Sequence, residues 1–279
     1  MRRLSLFLLC LFLAASAHAI TFGFVDDTNQ FSNVGAFVVQ SSTGRNFIIC
    51  SGTLITSNVF LTASHCTDFY LSVLQPRGFT AFVSFDPLIP EGSQTSSKTK
   101  LLAVSDVVQN PLFNQAQSDT GDIAVLILEK PVKGLVPATL PECGLLDRLF
   151  VKGNLNDAVF TAVGYGVQER RVGGGPPSFK ESNPVPRMFA FSSFDALNPT
   201  FIRLSQNPAT GDGGTCFGDS GGPNFLDVNG QQILAAITIT GDTVCQATNV
   251  DYRTDTPSAQ QFFSYVNATF GTSIPVSSC

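Results

Sequence analysis

CSGTLITSNVFLTASHC, residues 50–66, reads as strand, turn and strand, rich in Thr, Ile, Val and Phe and closed at each end by a cysteine. Outward from it, short β-rich runs recur between turn residues, at 34–40, 47–55, 79–85, 123–128, 159–163 and 233–240. This spacing belongs to a sandwich or barrel rather than to alternating β and α units. With 24 Gly and 16 Pro punctuating the chain, long helices have little room. One helix is predicted near the end: Thr256 caps it, Pro257 suits its first position, Phe262, Val266 and Phe270 recur at helical spacing, and Gly271 follows. Residues 129–158 lack strong periodicity and suit a crossover between two halves. The stretch RRVGGGPPSFKESNPVP, 170–186, cannot hold a regular element and reads as an exposed loop in which Arg170-Arg171 offers a nicking site.

The first 19 residues, MRRLSLFLLCLFLAASAHA, place two arginines before an apolar run that ends in small residues, the layout of a cleavable secretory signal. Cleavage after Ala19 makes Ile20 the new N-terminus; cleavage after Ala17 leaves a His18-Ala19 dipeptide to be removed. No second long apolar span follows, so membrane anchoring is not expected and the protein is expected outside the cell. Residues 20–279 suffice for one large all-β domain or two packed barrels. The whole chain carries 16 basic against 21 acidic residues, a formal charge of −5, and loses Arg2 and Arg3 with the signal. Electrostatic capture of nucleic acid or anionic lipid is therefore not expected.

Of 7 cysteines, Cys10 lies in the signal, leaving Cys50, Cys66, Cys143, Cys216, Cys245 and Cys279. An even set in an oxidising compartment argues for disulfides, with the connectivity left open by spacing alone. No CxxC pair and no HExxH occurs, so neither a metal nor another cofactor is expected.

Histidine is the scarcest chemical resource. There are 2 in the chain, and His18 belongs to the signal or its remnant, so imidazole chemistry rests on His65. A second candidate element is Gly218-Asp219-Ser220-Gly221-Gly222-Pro223, preceded by Cys216. Glycines around a serine permit a sharp turn and close approach of a substrate backbone, and the amides of Gly218 and Ser220 can converge on one oxygen. The third is Asp119-Thr120-Gly121-Asp122-Ile123-Ala124-Val125-Leu126. A carboxylate that opens an apolar strand is partly buried and needs a hydrogen-bond partner, for which His65 is suited; Asp119 fits an ordinary turn role better than Asp122 does.

Taken together, CSGTLITSNVFLTASHC, DIAVLIL at 122–128 and GDSGGP at 218–223 resemble the trypsin and chymotrypsin family, in the chain order His, Asp, Ser. TAVGYG at 161–166 and Asp251-Tyr252 extend the resemblance over nearly all of the chain after the signal. It implies an all-β fold of two packed six-stranded Greek-key barrels, chymotrypsin-like, with a C-terminal α-helix. The expected division is a signal at 1–19 and a protease domain at 20–279. Within the domain, the first barrel is expected at about 20–135, the second at about 150–255 and the helix at about 257–270. It also implies bridges Cys50–Cys66 and Cys216–Cys245, and subtraction leaves Cys143–Cys279.

The implied activity is serine endopeptidase chemistry on polypeptides. Ser220 is the nucleophile, His65 the base, Asp122 the orienting carboxylate, and the Gly218 and Ser220 amides the oxyanion hole. In this family a free N-terminal Ile or Val pairs with the aspartate before the catalytic serine; here that pair is Ile20 and Asp219, available directly after signal removal. Gly214 lies where trypsins carry aspartate at the base of the primary pocket, with Thr215 beside it. The pocket wall reads Ile239-Thr240-Gly241, and Val250 replaces a usual glycine. These residues predict small or medium apolar side chains before the scissile bond, not Arg or Lys. A monomer, with protein protease inhibitors as further partners, is expected. The alternatives are a catalytically silent homologue acting as a binding module, and an esterase or acyltransferase using the same residues. The sequon Asn267-Ala268-Thr269 is a potential glycan site inside the predicted helix.

Overall fold

A computed structural model describes residues 20–92, 99–114, 118–168, 179 and 182–279. The predicted signal at 1–19, the predicted nicking site at Arg170-Arg171 and most of residues 170–186, expected to form a loop, lie outside the described residues. Two barrels account for the structure. In the first, β1 (Val34–Gln40), β2 (Asn46–Leu54), β3 (Val59–Thr62), β4 (Thr80–Ser84), β5 (Leu102–Gln109) and β6 (Ala124–Leu128) close antiparallel in the order β1-β2-β3-β6-β5-β4. In the second, the strands are β7 (Val159–Gly164), β8 (Met188–Leu197), β9 (Phe201–Ser205), β10 (Pro223–Val228), β11 (Gln231–Gly241) and β12 (Thr248–Arg253). They run β8-β9-β12-β11-β10-β7, and pairing of β7 with β8 closes the ring. Renumbered from their own first strands, both rings have the same cyclic order, so the two halves repeat one topology.

The interiors are apolar. Phe37, Leu54, Phe60, Val83 and Leu126 fill the first barrel, and Phe160, Ile202, Leu204 and Ala236 fill the second. A third cluster, in which Val34, Leu61 and Val125 meet Phe225, Ile237 and Tyr252, seals the junction between the barrels. Burial of this kind is the main favourable contribution to folding, about 25 cal/mol per Å² of apolar surface.

Three α-helices accompany the barrels among the described residues. Helix α1 (Ser64–Phe69) carries His65, and α2 (Leu145–Val151) falls in the crossover where no element was expected. Helix α3 (Pro257–Phe270) forms where it was predicted. Thr256 Oγ1 accepts from the Ala259 amide at 3.1 Å, and Gly271 closes the helix in the left-handed region at φ +65°. Phe262 and Val266 are buried, whereas Phe270 at the last turn is exposed and Phe263 is buried in its stead. Asn267, the sequon residue, is turned onto the chain beyond the helix: its Nδ2 donates to the Ile274 carbonyl at 2.9 Å and its Oδ1 accepts from the Ile274 amide at 2.8 Å.

The cysteines pair as Cys50–Cys66, Cys216–Cys245 and Cys143–Cys279. Cys143–Cys279 fastens the crossover to the chain after α3. No helix among the described residues is long and apolar enough to cross a membrane.

Candidate active site

His65 owes its position to a mismatch in its own helix. As a residue of the first turn of α1 it has a backbone N–H without an intrahelical acceptor, and Ala63 before the helix supplies no side-chain cap. Asp122, which ends the approach to β6, answers that need from across the barrel. Its Oδ1 accepts the His65 backbone N–H at 2.9 Å, while its Oδ2 lies 2.8 Å from His65 Nδ1. One carboxylate thus fixes both the helix end and the imidazole. Ser64 adds a second tie, donating to the Ile123 carbonyl at 2.8 Å. Asp122 is 7% exposed, so its contact with the ring is largely shielded from water. Asp119 takes the turn role, accepting the Gly121 amide at 2.9 Å and the Tyr252 hydroxyl at 3.0 Å.

Ser220 stands in the turn that leads into β10. The turn is held by Asp219 N–H to Cys216 O at 3.1 Å, Gly222 N–H to Asp219 O at 2.8 Å and Gly221 N–H to Thr238 O at 2.7 Å. The first barrel grips it as well: the Ser51 amide on β2 donates to the Ser220 carbonyl at 2.9 Å, and Ser51 Oγ donates to the Gly218 carbonyl at 3.0 Å. Gly218 has φ +96°, a conformation that side chains resist. At Gly221 a Cβ would strike Thr62 Oγ1 and the Ser51 carbonyl, so the second barrel's turn could not sit this close with any other residue. Among the described residues the amides of Gly218 and Ser220 donate to no acceptor.

His65 and Ser220 line one cavity of 320 Å³, which brings the predicted residues from the two barrels to a single space. Cys50 and Cys66 lie within ligand distance of His65, but their sulfurs are joined to each other and offer no thiolates.

Thr215, Ile239, Thr240 and Gly241 line that same cavity; Gly214 and Val250 are not among its lining residues. Gly214 instead pairs with Thr21, with amide-to-carbonyl distances of 2.9 and 3.0 Å in the two directions. A side chain at 214 would collide with the buried side chain of Gln206. Phe217, Thr238, Asp242 and Thr243 also line the cavity and were not foreseen. The lining is therefore more polar than the predicted apolar pocket. Asp242 accepts the amides of Gln246, Ala247 and Thr248 and Nε2 of Gln206, and these bonds hold its carboxyl down to about 2 against the opposing effect of partial burial.

Asp219 is fully buried. Its Oδ1 accepts the Gly166 amide at 2.7 Å and its Oδ2 the Cys216 amide at 2.9 Å, and burial pushes its carboxyl up to about 7. Ile20 is also fully buried, packed with Ala162, Met188 and Ala190, but it is not among the hydrogen-bond partners of Asp219. In the full chain its nitrogen is an amide joined to Ala19 and carries no charge.

A family model described as Trypsin matches residues 24–263. The chain is 31% identical over 180 residues to a vitellin-degrading protease of Bombyx mori, covering 62% of this chain and 61% of that protein. It is 29% identical over 203 residues to chymotrypsin-like elastase family member 1 of Macaca fascicularis, covering 71% and 70%. With CLIP domain-containing serine protease B15 of Anopheles gambiae it shares 26% identity over 248 residues, covering 84% and 65%. The chain spans about six tenths of the length of the first of these relatives. A family match that runs from before the first barrel into the C-terminal helix, on two barrels of one topology, makes this chain a member of the trypsin family of serine proteases.

Proposed function

We propose that the protein is a secreted serine endopeptidase that acts through Ser220, His65 and Asp122, and that it does not select Arg or Lys. The observation that carries the reading is the 2.8 Å contact between His65 Nδ1 and Asp122, made at the edge of a cavity that Ser220 shares. In the mechanism, Nε2 of His65 takes the proton of Ser220 as its Oγ attacks the substrate carbonyl, and Asp122 keeps the other ring nitrogen protonated and stabilises the cation that forms. The otherwise unengaged amides of Gly218 and Ser220 receive the oxyanion. His65 then gives its proton to the leaving amine, and water, activated by the same ring, releases the acyl group from Ser220.

The reading that Arg and Lys are not selected is supported by Gly214, which places no carboxylate at the position where trypsins carry one and has no room for a side chain beside Gln206. The signal at 1–19 delivers the chain to the secretory route, and its removal frees Ile20, whose ammonium then neutralises Asp219 next to the nucleophile. Replacing Ser220 tests the reading: Ser220→Ala lowers peptide turnover by about 10⁶-fold. Turnover within tenfold of the parent would refute the assignment.

A further inference from the structure

The cavity beside Ser220 is lined by Thr215 but not by Gly214, the residue just before it. The space into which a side chain at 214 would project is already taken: the Cβ, Cδ and Oε1 of Gln206 stand there. Gln206 is the first residue after β9, has no exposure to solvent and takes no part in the catalytic chemistry. Further contacts set it against the cavity wall. Its Nε2 donates to Asp242 Oδ1 at 3.1 Å and to the Thr248 carbonyl at 3.3 Å, and the same nitrogen lies 3.6 Å from where a Cβ would stand at Gly241. Its backbone amide donates to the Ala247 carbonyl at 3.0 Å. Gly241 and Asp242 both line the cavity. One side chain thus backs the wall at two lining residues and closes the gap in front of Gly214.

A glutamine is a costly way to fill a gap. Its Oε1 is buried without a hydrogen-bond partner among the described residues, which costs about 1–3 kcal/mol, and an aliphatic side chain would occupy the same space without that penalty. The nitrogen accounts for the choice. Its two bonds, to Asp242 and to the Thr248 carbonyl, hold a side chain of several rotatable bonds in one conformation, so that it stays in front of Gly214. An entering group cannot push it aside without breaking both. The cavity of 320 Å³ must hold the reacting carbonyl at Ser220 and the backbone beside it as well as one side chain. A short side chain ends before Gln206, and a long one meets it in an interior packed too closely to give way.

We propose that Gln206 is the floor of the primary pocket and limits the length of the side chain accepted immediately before the scissile bond, admitting valine and turning away phenylalanine. This assignment rests on the serine endopeptidase reading and adds to it the residue that sets the substrate class.

The test uses the protein beginning at Ile20 and two peptide substrates that differ only before the scissile bond, valine in one and phenylalanine in the other, compared by kcat/KM. Valine exceeds phenylalanine by at least about tenfold, the scale on which a pocket discriminates by size. Gln206→Ala removes the floor and brings the valine-to-phenylalanine ratio to one or below. Gln206→Met keeps the length of the side chain while losing its hydrogen bonds, and the ratio stays above one. Each ratio is internal to one preparation, so a loss of folded protein cancels. Phenylalanine matching valine in the parent, a ratio that survives Gln206→Ala, one that Gln206→Met relaxes as far, or labelling of Ser220 by a fluorophosphonate with neither peptide cleaved would overturn the floor assignment and leave the peptidase reading standing. No hydrolysis of either peptide, together with no reaction of Ser220 with the fluorophosphonate, would overturn the peptidase reading and the floor assignment with it.

Discussion

Asp219 is buried next to Ser220 and, among the described residues, has only the Gly166 and Cys216 amides for partners; burial raises its carboxyl from 3.8 to about 7. A group whose folded value is raised binds its proton more tightly in the native state than in the unfolded one. The precursor therefore loses stability as pH rises from about 4 to about 7, and regains it as pH falls through that window. A free Ile20 ammonium reverses the sign by favouring the charged carboxylate. Thermal denaturation between pH 4 and 8 checks this. A chain still carrying residues before Ile20 melts lower at pH 8 than at pH 5, Asp219→Asn flattens that slope, and a chain that begins at Ile20 lacks it. An Asp219→Asn precursor with an undiminished slope would show that another group is responsible.

At the scale of elements, the C-terminal helix is tied down at both ends. Thr256 caps its start, and beyond its end Cys279 bridges to Cys143, while Ser277 accepts the Cys143 amide at 2.7 Å. The bridge spans 136 positions, and a loop of that length gives an unfolded-chain constraint worth about 5 kcal/mol. Replacing both cysteines by serine should lower the free energy of unfolding by an amount approaching this in denaturant titration. Peptide hydrolysis by the folded fraction should stay intact, because the bridge lies away from the His65 cavity. A change below about 1 kcal/mol would contradict the tether. Where the sequence was legible at this scale, periodicity was clean: 34–40 and 123–128 match β1 and β6 within a residue, and the caps of α3 were plain. The strands at Leu102–Gln109 and Met188–Leu197 escaped notice because register shifts at Val104/Asp106 and at Phe194/Ala196 break their alternation. Helix α1 is too short for periodicity and is capped from 57 positions away by Asp122, a signal no local reading contains. The buried contacts of Asn224 and Asn249 with Asp251 were equally hidden, since these residues meet through pairing of β10, β11 and β12 and belong to no contiguous motif.

At the scale of the molecule, the site exists only because the barrels hold one another in register. Arg187 and Asp26, both without exposure, pair at 2.8 Å, and Arg187 also donates to the Val34 and Phe85 carbonyls of the first barrel at 3.0 and 3.2 Å. Ser51 in turn carries the first barrel's grip to the carbonyl of Ser220. His65, Asp122 and Ser220 each sit in a short motif of their own that the sequence displays; that His65 and Ser220 line one cavity depends on these ties between the barrels. The most direct measurement is covalent: the protein starting at Ile20 is treated with a fluorophosphonate and the adduct located by peptide mass. The adduct is expected on Ser220 alone, and His65→Ala should abolish it. Labelling spread over other serines, or undiminished labelling of Ser220 without the imidazole, would contradict the account.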